Sequence, residues 1–272
     1  MIANPCDLNL RHLRALLAAR QAGSISAGAY LSNLTQSALT QAIGKLERQL
    51  DCTLFERQAS GIEPTAKGTM ALERIAAALD HLDAAMLKLR GNSASMSNAI
   101  SMLHARALLS LAKAHSFAAA AADGSLSQSS IRRAVGDLEQ LLGRPLIDRR
   151  AQGSILNLAG RRLLQAFRLM HGELRSMLSE LSDDEHAAIV SLGALPIARP
   201  FMVPIAITQM VRENEHIQFL VAEGNWGDLV EQLQDGVIDL VVGTLRNEEI
   251  AGLRQEQLSE DQAVILCGSH HP

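Results

Sequence analysis

The chain has 272 residues, 47% of them hydrophobic and 20% charged, which predicts two or three globular units with apolar cores rather than a disordered chain. Its three cysteines, Cys6, Cys52 and Cys267, are scattered without a CxxC pair or a His partner at metal spacing, so neither a disulfide framework nor a metal site is expected. No basic-then-apolar leader and no run near ~18 apolar residues is present, so a soluble cytoplasmic protein is expected, without a signal peptide or membrane span. The net charge of −4 is unevenly spread: residues 1–90 carry 10 Lys+Arg against 8 Asp+Glu, residues 91–181 carry 11 against 6, and residues 182–272 carry 4 against 15. A polyanion is attracted to the first two segments and repelled by the third.

In chain order, Leu8, Leu10, Leu13, Leu16 and Leu17 recur at helical spacing, and Gly23 is placed to end that helix. Ser24-Ile25-Ser26 opens a short second helix through Ala27, Ala29, Tyr30 and Leu31. Thr35 caps a third, from Gln36 to about Leu50, with Leu39, Ile43, Leu46 and Leu50 on one face. Its opposite face carries Gln36, Ser37, Thr40, Gln41 and Lys45. Two short helices joined by a tight turn, the second with a polar exposed face, form the helix-turn-helix layout. LFERQASGIEPTAKG then reads as a small wing turning at Gly61, after which Thr65 caps a long helix. That helix bears the stripe Leu72, Ile75, Ala76, Leu79, Leu82 and Met86, which calls for a partner helix.

Sliding the chain by about 92 positions superposes residues 8–86 on 100–178 without a gap, with about 24 of 79 positions identical. His12 falls on His104, Ser24 on Ser116, Gln36 on Gln128, Glu47 on Glu139, Arg57 on Arg149, Gly61 on Gly153 and Gly68 on Gly160. Registered glycines mark a duplicated unit, with a linker at Gly91–Asn98. Asp123-Gly124 stands where the first copy has Leu31-Ser32; loss of an apolar anchor there predicts a shortened second helix. The long helices near Ala66–Leu89 and Leu158–Leu181 pair either within one chain or between the chains of a homo-oligomer.

After Ser182-Asp183-Asp184-Glu185 the texture changes. HAAIVSLGALP is β-prone, Pro200–Arg212 is helix-like, HIQFLVAEG reads as a strand, WGDLVEQLQDG as a helix and VIDLVVGTL as a third strand. This alternation predicts a parallel α/β sheet.

LSNLTQSALTQAIGKLERQLDCTLFER followed by PTAKG resembles the N-terminal winged helix-turn-helix of LysR-type transcriptional regulators, over almost all of residues 8–86. SLSQSSIRRAVGDLEQLLGRPLIDRR and NLAG match less well, and in the first wing Gln58, Ala59 and Ser60 replace the family's usual basic residues. GALP, DLVxxLxxG and IDLVVG resemble the first half of the family's effector domain, in which two α/β subdomains hold a small ligand between them. The resemblance implies a multidomain chain. Residues 1–90 and 99–181 are two all-α winged helix-turn-helix domains with long linker helices, and 187–272 are a partial, truncated α/β domain of the periplasmic-binding-protein type.

The implied function is sequence-specific binding of double-stranded DNA, with recognition helices in the major groove and activity modulated by a small effector, without catalytic residues, metal or other cofactor. Gln and Arg on an exposed helix face suit bidentate contact with adenine and guanine edges. The expected DNA contacts are Gln36, Ser37, Thr40 and Gln41, with Lys45 or Arg57 on phosphate. In the second copy they are Gln128, Ser129, Arg132 and Arg133, with Arg149 and Arg150 near the wing. Expected effector contacts are Pro196, Ile197, Ala198, Arg199, Asn225, Trp226 and Thr244, with Arg199 supplying charge for a carboxylate. An enzyme is disfavoured because GxSxG, P-loop, HExxH and nucleotide fingerprints are lacking. The stronger alternative is an assembly module in which one or both copies no longer bind DNA.

Overall fold

The computed structural model describes residues 4–58, 61–90, 98–114, 116–122, 124–150, 153–181, 189–215, 217–234, 236–250 and 253–260. Local capping chemistry sets the first elements. Asn9 accepts hydrogen bonds from the Arg11 and His12 amides to start α1 (Leu10–Ala22), and Gly23 ends it in the left-handed region at φ 60°. Ser24 starts α2 (Ile25–Leu31), accepting from the Ala27 amide. Thr35 starts α3 (Gln36–Leu50), accepting from the Ala38 amide. β1 (Phe55–Gln58) and β2 (Gly61–Pro64) then pair antiparallel, and α4 (Ala66–Arg90) follows. The same order recurs in α5 (Met102–Ala114), α6 (Phe117–Ala121), α7 (Gln128–Leu142), β3 (Ile147–Arg150), β4 (Gly153–Leu156) and α8 (Leu158–Leu181).

Residues at equivalent positions of the 92-residue shift make the same contacts in both units. The Glu47 carboxylate accepts from the Leu54 amide at 2.8 Å, as Glu139 does from Leu146 at 2.8 Å. Each acid thereby ties the recognition-helix position to the first strand of its wing. Thr65 accepts from the Gly68 amide at 2.9 Å and Asn157 from Gly160 at 3.0 Å. A Cβ on Gly68 would lie 2.0 Å from the Leu54 carbonyl oxygen, and one on Gly160 2.3 Å from that of Leu146, so both positions need glycine for close approach.

α6 has five residues against seven in α2, as expected, but not for the expected reason. Leu31 is 58% exposed and anchors nothing, so its absence from the second copy removes no packing. Instead Gly124 adopts φ 73° just past α6, a conformation that ends a helix, whereas in the first copy the Ser32 hydroxyl donates to the Gly28 carbonyl and α2 runs on. Asp123 lies outside the described residues, as does most of the expected linker.

Of the two pairings open for the long helices, this structure has the one within the chain. α4 and α8 pack along their stripes, and buried residues of both units, from Leu8 to Leu181, belong to one apolar core. Arg74, near the start of α4, bonds Glu173 and Glu180 near the end of α8, while Arg90 at the end of α4 donates to the Leu141 carbonyl ahead of α8. The two helices therefore run antiparallel. A 3-10 turn at Pro5–Asp7 also packs on α5 and α8.

The third unit holds β5 (Ile189–Ala194), α9 (Met202–Glu213), β6 (Gln218–Glu223), α10 (Trp226–Gln234) and β7 (Leu240–Val242). Its strands are all parallel in the order β6-β5-β7. Leu192 and Ala194 pack with Val203 of α9, and Leu195 and Ile238 with Leu229 of α10, so each helix covers its own small core. This unit touches α8, where Gln165 donates to the Gln234 carbonyl and Leu169 stands beside Gly236. Among the described residues no helix is long and apolar enough to cross a membrane.

Candidate nucleic-acid interface

α3 is sharply two-faced. Leu39, Ala42, Ile43, Leu46 and Leu50 are buried, while Gln36, Ser37, Thr40, Gln41 and Lys45 are all exposed. The Ser37 hydroxyl lies 3.0 Å from that of Thr35, and Thr40 donates to the Gln36 carbonyl at 2.9 Å. Those two are tied to the helix start, whereas Gln36, Gln41 and Lys45 are exposed on the same face. Beside them His12 is half-buried. Burial, then Lys45 and Arg11, push its imidazole below the ordinary value.

α7 repeats the pattern with different chemistry. Ile131, Ala134, Val135, Leu138 and Leu142 are buried, and Gln128, Ser129, Arg132 and Arg133 are exposed. The Arg132 guanidinium stacks 4.4 Å from the Phe117 ring centroid, a contact the sequence reading missed because it joins two helices. At the shift of 92, Thr40 gives way to Arg132, Gln41 to Arg133 and Lys45 to Asp137.

The wings differ from expectation in the first copy. Arg57 is exposed on β1 but shares the hairpin with exposed Glu56 and Glu63, and Gln58 donates to Glu63 at 2.6 Å. Ala59 and Ser60 lie outside the described residues. Arg149 and Arg150 are placed on β3, with side chains outside the described residues.

In the third unit the expected effector residues gather at the carboxyl ends of β5, β6 and β7, where open parallel sheets take ligands. They do not form one site. Ala198 is buried, and Arg199 is paired with Glu223 at 2.5 Å, so its charge is already met by an acid rather than held for a ligand carboxylate. Asn225 caps α10, accepting from the Asp228 amide at 3.0 Å. Pro196 and Ile197 are exposed. Among the described residues Trp226 and Thr244 line one cavity, together with Met202, Val241 and Arg254. Arg246, stacked 5.1 Å from the Trp226 ring, was not legible from spacing.

The profile of the bacterial regulatory helix-turn-helix protein, lysR family, matches residues 10–69 and again 102–161, and that of the LysR substrate binding domain matches 183–272. The HTH-type transcriptional regulator GalR of Pseudomonas putida is 30% identical over 270 residues, covering 97% of this chain and 67% of that protein. The HTH-type transcriptional regulator GbpR of Azospirillum brasilense is 26% identical over 176 residues, 64% of this chain and 52% of that one. Full-length OxyR from Pseudomonas aeruginosa aligns with 54% of this chain and 51% of its own at 23% identity and a TM-score of 0.43. The chain thus spans between about half and two thirds of the length of the curated relatives it matches. With its helix-turn-helix and substrate-domain matches, and a regulator aligned over 97% of this chain, the chain belongs to the LysR family of bacterial transcriptional regulators and not to an enzyme family.

Proposed function

We propose that the chain regulates transcription in the cytoplasm by binding specific sequences of double-stranded DNA through both duplicated winged helix-turn-helix units, and that its third unit takes a small effector. The observation that carries this is the pair of two-faced helices, α3 and α7, each with a buried apolar side and an exposed Gln- or Arg-bearing side. Gln36 and Gln41 read bases in the first copy, with Lys45 and Arg57 on phosphate. Gln128, Ser129, Arg132 and Arg133 do so in the second, with Arg149 and Arg150 alongside. The effector sits at the strand ends beside Trp226 and Thr244.

Glu56 and Glu63 in the first wing favour a second reading, in which copy one holds the assembly together and copy two alone binds DNA. Fluorescence anisotropy with labelled duplexes at several salt concentrations separates the two. The expected log–log slope is about −0.9 per phosphate contacted. Joint Gln36→Ala and Gln41→Ala relaxes sequence preference, and Arg57→Ala weakens binding uniformly. Unchanged preference in the first variant assigns copy one to the scaffold role; absence of salt-dependent binding contradicts DNA recognition itself.

A further inference from the structure

We propose that one chain reads a complete operator composed of two unlike half-sites, an adenine-bearing one under α3 and a guanine-bearing one under α7. This deepens the DNA-binding reading above and depends on it.

The pairing surface is used up within the chain. The stripes of α4 and α8 bury each other, Arg74 and Arg90 bridge the two units, and their apolar residues form one core. Residues 91–97, seven in number, join α4 to the second unit and reach at most about 25 Å. Such a short connection holds the second copy near the first at an effective concentration in the millimolar range, which favours pairing in cis over pairing with another chain.

Two like units joined through antiparallel helices stand in an approximate two-fold relation, as the halves of a dimer do. A dimer of identical chains must present identical readers and so selects palindromes. The readers share Gln36/Gln128 and Ser37/Ser129 but differ where Thr40 and Gln41 give way to Arg132 and Arg133. On α3 the amide of Gln41, beside that of Gln36, is both a donor and an acceptor, the pattern that adenine N6 and N7 complement. The α7 face offers Arg132 and Arg133, donor-only forks that match guanine O6 and N7. Arg132 is braced by Phe117, and Arg133 makes no hydrogen bond or ion pair among the described residues. Asp137 in place of Lys45 removes a phosphate-binding cation from α7 only.

The test is selection from randomised duplexes by the chain, followed by native mass spectrometry of the complexes. Enriched sites are expected to hold two unlike half-sites spaced by whole helical turns, with one chain per duplex. Arg133→Ala should weaken binding about tenfold and relax only the guanine-bearing half, and Gln41→Ala should relax only the other. Palindromic sites holding two chains, with each substitution relaxing both halves, overturn the proposal while leaving DNA recognition intact. No enriched duplex at low salt overturns both. A second arm needs no DNA. Arg74→Cys and Glu173→Cys, in a chain whose native cysteines are replaced by serine, are treated with a short bis-maleimide. An intrachain link supports the proposal, and a covalent dimer overturns it.

Discussion

The Arg74 guanidinium of α4 bonds the Glu173 carboxylate of α8 at 3.0 Å across 99 residues of sequence, and the same group also bonds Glu180. It lies at the rim of a seam in which Leu82 and Leu174 are fully buried. The ion pairs set the helix register, while the apolar seam supplies the adhesion.

Leu82→Ala and Leu174→Ala should each cost about 2–5 kcal/mol, whereas Arg74→Ala, with its partly exposed side chain, should cost no more than about 1 kcal/mol. Urea unfolding checks the ranking. A larger loss for Arg74 than for the leucines would show that charge rather than packing joins the two units.

Adding one methyl group at the glycine in the first turn of either long helix tests its junction with the wing. Gly68→Ala and Gly160→Ala push a Cβ into the carbonyls of Leu54 and Leu146, so each should lower stability by about 1–3 kcal/mol. Gly44→Ala, a half-buried position of α3 with open space around its Cβ, is the control and should stabilise slightly or do nothing.

Removing the charge at Glu47 or Glu139 tests the tie between recognition helix and wing. Glu47→Gln and Glu139→Gln should each cost about 1.5 kcal/mol, since a charge-assisted bond to the amide just ahead of the wing strand becomes a neutral one. Amide hydrogen exchange at Leu54 and Leu146 should quicken in the matching variant alone.

Acid should weaken the fold. Burial, above all, holds His12, His104 and His171 below the ordinary imidazole value; Lys45 and Arg11 add to this at His12, and Arg175 adds to it at His171. Asp137 acts against the shift at His104, whose Nδ1 accepts from the Ser101 amide at 3.1 Å, a bond that needs the ring unprotonated there. The unfolded chain binds more protons than the folded one from about pH 6.5 down to the depressed folded values, so stability is present above that window and is lost as pH falls through it. The urea midpoint should drop between pH 7.5 and 5.5, and drop less in His104→Gln.

The parts legible in sequence were those set by local chemistry. Thr35 before a 3.6-residue stripe marks the start of α3, and its exposed face was readable residue by residue because helical periodicity alone assigns it. The glycines and acids common to both copies fixed the register of the repeat. What sequence could not show depends on distant partners. The α4–α8 stripes by themselves allow pairing within or between chains, and only the fold places Arg74 beside Glu173. Leu31 looked like an anchor because apolarity does not report burial. Arg199 looked like a ligand cation because Glu223 arrives from the neighbouring strand.

Hydroxyl-radical footprinting of the DNA backbone on a selected operator tests the central claim, that both copies read DNA, most directly, because it reports every sugar regardless of base. Two protected half-sites are expected, and Arg133→Ala should weaken protection in the half bound by α7 while leaving the half bound by α3 protected. Joint Gln36→Ala and Gln41→Ala should do the reverse. Protection confined to one half, and indifferent to substitutions in one copy, would contradict the account.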